Sequence, residues 1–205
     1  PILFISCGDN TENPDYLNES LPVDTRVDDL MSRMSLYEKA CQMNQFVGIE
    51  HMKKAEIDLS DEDMKKSDTK GFYKGVFSAD VKQMIIDGKI GSFLHVITAK
   101  EANYLQELAY QSKLKIPLLI AIDAIHGNAL YEGATVYPSP IAIASTWDET
   151  NSFNVGKQTA FEMRSTGSHW ALTPNIDVMR DARWGRVGET FGEDPYLVTQ
   201  MCTAM

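Results

Sequence analysis

The sequence predicts an α/β fold of the parallel type: a partial (β/α)8 TIM-type barrel, truncated after roughly its first half. Three observations carry that expectation. Short runs that are apolar throughout, GSFLHVI at 91–97, IPLLIAI at 116–122 and HWALT at 169–173, alternate with amphipathic helical segments. That is the pattern of a parallel sheet covered by helices. Neither GxGxxG nor a P-loop pattern follows any of these runs, so the nucleotide-binding open sheets lose their main support. Polar residues instead stand directly after strand ends, Asp123 after IPLLIAI and Asn175 and Asp177 after HWALTP, where barrel enzymes place their chemistry.

Taken in order, the chain starts at Pro1 and runs ILFISCGDN. This resembles the end of a bacterial secretion signal, in which Cys7 would be lipidated and become the mature N-terminus. The plainer alternative is a short apolar stretch with a free thiol. Residues 1–22 are assigned to a signal-peptide or lipobox remnant followed by a polar, proline-punctuated arm, and residues 23–205 to the barrel portion. Ser35 and Glu38 form a capping box ahead of a helix through KACQMNQF. Residues 50–70 are charged and weakly helical, and are expected to form a solvated surface insertion with His51 exposed. A helix is expected from Ala79 to Asp87 with Gly88 as its stop, then the first apolar strand. Thr98 and Glu101 form a second capping box for a helix to Ser112, before the second strand. Thr146-Trp147-Asp148-Glu149 caps a third helix, which Gly167 ends, before the third strand. Asp194 and Pro195 supply the N-cap and first residue of a last helix whose apolar face begins with Tyr196, Leu197, Met201 and Met205. A complete barrel takes about 250 residues, so the chain reads as a fragment that supplies the earlier part of one.

Composition narrows the function. The 205 residues are 43% hydrophobic, with 19 basic and 29 acidic side chains and a net charge of −10. An acidic chain without a basic stripe is a poor nucleic-acid binder and suits an uncharged substrate. Three cysteines do not make a disulfide scaffold. No apolar run approaches the length needed to span a bilayer.

The most distinctive segment is TPNIDVMRDARWGRVGETFGEDPY, residues 173–196, with three arginines (Arg180, Arg183, Arg186), five carboxylates and a tryptophan. Long segments without hydrophobic periodicity are usually functional or disordered, and the flanking strand and helix signals argue against disorder. Guanidinium forks donate to oxygens, carboxylates accept hydroxyl protons and an indole covers an apolar ring face, as a hydroxyl-rich neutral ligand requires. Some of these charges are expected to pair internally and hold the loop. In IDAIHGN, Asp123 is a candidate substrate-binding carboxylate at the barrel mouth, with a local turn cap as the plainer alternative. Asp123 with His126 is a weak ligand set for a first-row metal; a metal-dependent barrel hydrolase using these two is kept as a rival, while no metal and no cofactor is expected. His95 and His169 read as hydrogen-bonded structural histidines.

Four segments in order, MSLYEKACQMNQ, IPLLIAIDAIHG, ATVYPSPIAIASTWD and RDARWGRVGETFGEDPYLV, resemble glycoside hydrolase family 3, nearest its bacterial β-glucosidases and exo-glucanases. The resemblance implies a retaining, exo-acting β-glycosidase, most simply a β-glucosidase releasing terminal glucose from oligosaccharides or β-glucans. It implies that Asp123 and Arg186 bind the sugar at the cleavage subsite, while His126, Arg183 and Trp184 support the site. The family's aspartate nucleophile and its glutamate acid/base match nothing in this chain, so no catalytic residue is assigned here. In a retaining enzyme those two carboxyls stand about 5–5.5 Å apart. The partners expected are an oligosaccharide or β-glucoside and, through a lipid on Cys7, a membrane; the expected location is the periplasm or the outer membrane. A non-catalytic carbohydrate-binding lipoprotein is the alternative.

Overall fold

The computed structural model describes residues 14–58 and 76–205. Cys7 and most of the charged tract after residue 58 therefore lie outside the described residues. The chain divides into two compact units, Pro1–Ala40 and Cys41–Met205.

In the first unit, a 3-10 turn at Asp15–Leu17 precedes helix α1 (Val23–Arg33) and helix α2 (Leu36–Cys41). Turn and helix are tied by Tyr16 N donating to Asp29 Oδ2 (3.1 Å) and Arg26 Nε donating to Tyr16 O (3.1 Å). The capping box ahead of α2 forms as expected: Glu38 N donates to Ser35 Oγ at 3.2 Å and Ser35 N to Glu38 Oε2 at 2.8 Å.

The second unit is built on four strands, β1 (Gln45–Val47), β2 (Ser92–Leu94), β3 (Leu119–Ile122) and β4 (Trp170–Ala171). They form one sheet in the order β1-β2-β3-β4, every pair parallel. A doubly wound sheet reverses its strand order at a switch point; among the described residues this one never does. Sequential parallel order with a helix in each crossover is the opening arc of a (β/α)8 barrel, as the sequence predicts. The crossovers carry α3 (Ile49–Asp58) and α4 (Ser78–Ile86), then α5 (Ala99–Tyr110), then α6 (Pro140–Ala144) and α7 (Glu149–Ser165), and α8 (Pro195–Ala204) follows β4.

Two expectations are corrected. The helix expected through KACQMNQF stops at Cys41, and Gln45–Val47 is the first strand. Asn44 O accepts from Gly91 N and Ser92 N, which draws the chain alongside β2 and buries Phe46 and Val47. A three-residue strand that opens on a glutamine has no period long enough to read. Residues 50–58 are not a solvated insertion either, because they form the body of α3, with Met52 fully buried. His51, expected to be exposed, is half-buried.

The other caps follow the sequence with small shifts. Thr98 Oγ1 accepts from Glu101 N (3.1 Å), but the Glu101 carboxylate turns away from Thr98 to accept from Glu50 N (2.9 Å). The third cap is Asp148, which accepts from Thr150 N (2.9 Å), while Thr146 Oγ1 donates to Ile143 O (2.7 Å) and closes α6. Asp194 caps α8 by accepting from Leu197 N (2.9 Å).

The core between sheet and helices contains Phe46, Val81, Ile85, Phe93, Leu105 and Ile120. Full burial of each such side chain contributes roughly 1.5–3 kcal/mol. A second cluster joins α6, α7 and α8 through Ile143, Val155, Val198 and Met201, with Phe191 from the arginine-rich segment among them. That contact anchors the segment to the barrel wall. No helix of the described residues is long and apolar enough to cross a membrane.

Candidate active site

Because all four strands are parallel, their C-terminal ends open on one face, and the loops that leave them carry polar residues. After β1 come Gly48 and Glu50, after β2 His95, after β3 Asp123, and after β4 Asn175 and Asp177.

Asp123 is the first residue beyond β3. It is not a local turn cap, because Oδ2 lies 3.0 Å from His95 Nε2 across the mouth. An ionised carboxylate only accepts, so the imidazole donates through Nε2. Among the described residues nothing donates to the other oxygen, Oδ1, and the side chain is 42% exposed. His95 is not within the apolar strand, as expected from GSFLHVI; β2 ends at Leu94 and His95 turns out of it with φ +57°. His169 is the structural histidine the sequence suggests: Nε2 lies 3.2 Å from Leu118 O and its backbone N donates to Ile120 O (3.0 Å).

The arginine-rich segment pairs internally. Arg183 holds Asp181 through Nε (2.9 Å to Oδ1) and through Nη2 to Oδ2. That guanidinium, then the backbone N–H of Arg183, keeps the Asp181 carboxyl below its ordinary range. Both side chains are exposed, so the pair shapes a surface turn and adds little stability. Trp184 N donates to Asp181 O (3.1 Å) in the same turn. Arg186 sits differently. Its Nε donates to Glu189 Oε2 at 2.7 Å and Nη2 lies 2.6 Å from the same oxygen, and Glu189 also accepts from Asn175 Nδ2 (3.0 Å). Asn175 and Thr190 form a parallel bridge, so the loop is stitched to the β4 exit. The Glu189 hydrogen bond, followed by its charge, holds the Arg186 guanidinium above its usual range, and Asp123 and Asp177 add to the effect from further off. Nη1 of Arg186 makes no hydrogen bond among the described residues.

His126 lies deeper. Its backbone O accepts from Tyr137 N (2.8 Å) and its buried Nδ1 has no protein partner among the described residues. The turn after it is enforced by Gly127, at φ +104°, where a Cβ would stand 2.2 Å from Thr135 O. Among the described residues no three His, Cys, Asp or Glu side chains gather as a metal site.

The sequence reading missed Glu101 and His95. Glu101 is 4% exposed and joins the β1 exit to α5. Burial, first of all, raises its pKa above 4.5; the backbone amides of Glu50, Ile49 and Ile97 pull the other way, and the charge of Glu50 adds to the rise. The signal was hidden because its capping-box pattern explained the residue locally. Among the cysteines, Cys41 is buried, and burial pushes the Cys202 thiol up to about 11. Neither is a poised nucleophile.

Comparison with known proteins agrees with this arrangement. Residues 36–205 match the family model described as Glycosyl hydrolase family 3 N terminal domain. The chain is 36% identical over 126 residues to the periplasmic beta-glucosidase of Salmonella typhimurium, covering 61% of this chain and 16% of that protein. It is 40% identical over 126 residues to a beta-xylosidase of Formosa agariphila, covering 58% of this chain and 17% of that one. The beta-glucosidase of Listeria innocua in complex with glucose superposes with a TM-score of 0.65 at 30% identity, covering 88% of this chain and 23% of that chain. The matched stretch is thus about a sixth of the length of these two curated relatives. A parallel sheet wound in sequence order, polar strand exits and a family match from Leu36 to the last residue agree, and the chain belongs to glycosyl hydrolase family 3, in its N-terminal domain.

Proposed function

We propose that the protein containing this chain is an exo-acting, retaining β-glycosidase, a β-glucosidase that releases terminal glucose, and that this portion supplies the clasp for the terminal sugar. The observation that carries the proposal is the hydrogen-bonding capacity left over on Asp123, directly after β3, and on Arg186, in the segment that follows β4. Asp123 Oδ1 accepts hydroxyl protons of the sugar, and Arg186 Nη1 donates to its oxygens. Holding the ring before reaction supplies the orientation part of catalysis. His126, Arg183 and Trp184 shape the loops behind these two, and the nucleophile and acid/base belong to other parts of the protein. Relatives named beta-glucosidase and beta-xylosidase support a pocket for a neutral pyranose. The name of the Salmonella relative supports a periplasmic location, which a lipid on Cys7 would restrict to a membrane face.

The test uses the full-length enzyme with a panel of aryl β-glycosides. The β-glucoside is expected to be cleaved best, with the β-anomer of glucose as the first product by NMR. Asp123→Ala should lose transition-state stabilisation on the order of several kcal/mol in kcat/KM, because contacts to sugar hydroxyls strengthen at the transition state. Unchanged kinetics would remove Asp123 from the site. Binding of glucosides without any turnover by the full-length protein would favour a carbohydrate-binding lipoprotein instead.

A further inference from the structure

His95 does something that a residue retained for folding alone does not need to do. It leaves β2 in the left-handed region, at φ +57°, a conformation that costs strain for a side chain of this size. That backbone is clamped from three sides. His95 N donates to Ala121 O of β3 (2.9 Å), and Gly48 N at the exit of β1 donates to Leu94 O (2.9 Å). The approach of β1 is so close that a Cβ on Gly48 would stand 2.8 Å from His95 O and 3.2 Å from Glu101 Oε1. From α5, the buried Glu101 accepts from Glu50 N, and Thr98 Oγ1 donates to Glu50 Oε1 (3.3 Å). With its Cα fixed in this way, the imidazole is aimed across the mouth at Asp123. The bond it makes there is to a half-exposed carboxylate, where an ion pair adds little to stability.

We propose that His95 is a positioning residue of the sugar clasp: Nε2–H anchors Oδ2 of Asp123 and so presents Oδ1 to the sugar hydroxyls. The inference rests on the reading of Asp123 as a sugar-gripping carboxylate. A free carboxylate rotates about its side-chain torsions and presents either oxygen; one held at 3.0 Å from a clamped imidazole presents the other in a fixed direction. The restriction is made before the substrate arrives, so binding does not have to supply it. His51 faces the same imidazole, with ring centroids 6.3 Å apart. Burial, then the neighbouring His95 and Lys54, lower its pKa, and among the described residues the hydrogen bond to Asp123 comes from His95 alone.

A double-mutant cycle in the full-length enzyme, read as kcat/KM on an aryl β-glucoside, tests this. His95→Asn keeps the left-handed backbone, which asparagine tolerates, but its short amide does not reach Asp123. It is expected to lower kcat/KM about tenfold to a hundredfold, the scale of a misplaced binding group, with the melting temperature retained. His95→Gln, with a longer amide donor, should recover part of the loss. In an Asp123→Ala background, His95→Asn should cause no further loss, because it has nothing left to position. Wild-type kinetics for Asp123→Ala would overturn the reading of Asp123 itself. An impaired Asp123→Ala enzyme beside a His95→Asn enzyme with wild-type kcat/KM overturns the positioning role alone, as do losses that multiply in the double variant. Should His95→Asn fail to fold, the same cycle with His95→Gln decides: a loss seen only when Asp123 is present supports the role, and equal losses in both backgrounds end it.

Discussion

At the scale of single residues, the site is a set of charges whose partners are only partly used. Arg186 turns Nε and Nη2 toward Glu189, so its planar fork fixes the loop and, under the proposed function, also donates through Nη1 to the sugar. A lysine has one ammonium and cannot do both. Arg186→Lys in the full-length enzyme is therefore expected to reduce kcat/KM roughly tenfold or more, the scale of a lost hydrogen bond to a charged group, with a smaller effect on melting temperature. Equal kcat/KM in wild type and variant would confine Arg186 to a loop-holding part. Glu101 makes a prediction about pH. Its pKa is raised in the fold, so the folded state holds the proton more tightly than the unfolded state does. Stability from that proton is complete below pH 4.5 and is lost as pH rises through the raised value. Glu101→Gln keeps an oxygen for Glu50 N and carries no charge to bury. The variant should melt higher than wild type at neutral pH, with the difference shrinking toward zero below pH 4.5; a difference independent of pH would show that burial of the charge is not the cause.

At the scale of elements, each strand exit is set by a short steric or capping device, not by a long regular structure. Gly127 is the sharpest case, since a side chain there meets both a positive φ and Thr135 O. Gly127→Ala should destabilise the protein by more than the roughly 1–3 kcal/mol of a strained backbone alone. Thermal melting checks it, and an unchanged melting temperature would mean that the 126–137 turn is free to relax. These devices also show which elements were legible. β2, β3 and the helices α4, α5, α7 and α8 were readable because their apolar periods and caps are local. β1 was not, because a three-residue strand has no period and becomes a strand only when Asn44 O accepts from Gly91 and Ser92. His95 was misplaced for the same reason: an apolar run does not say at which residue the pairing stops.

At the scale of the whole molecule, a sheet wound in sequence order collects four strand exits on one side and makes an acidic rim that carries Glu50, Asp123 and Asp177. Such a rim favours neutral, hydroxyl-rich ligands and repels anions. Among the described residues no metal-ligand cluster is present, and the donors at the mouth suit hydroxyl groups better than a first-row metal. Hydrolysis of an aryl β-glucoside by the full-length enzyme should therefore persist after dialysis against a chelator. A loss of activity that zinc or manganese restores would return Asp123 and His126 to the role of ligands.

By itself, the sequence determined the family, the alternation of strands and helices, most helix caps, and the placing of Asp123 directly after a strand. All of these are written in local patterns, a few residues apart, that survive without neighbours. Only the tertiary structure decided that Glu101 spans from α5 to the β1 exit, that Glu189 joins Arg186 to Asn175, and that His95 reaches Asp123. Those contacts join residues far apart in the chain, and their geometry depends on how closely the parallel strands approach at the mouth, which no single segment encodes.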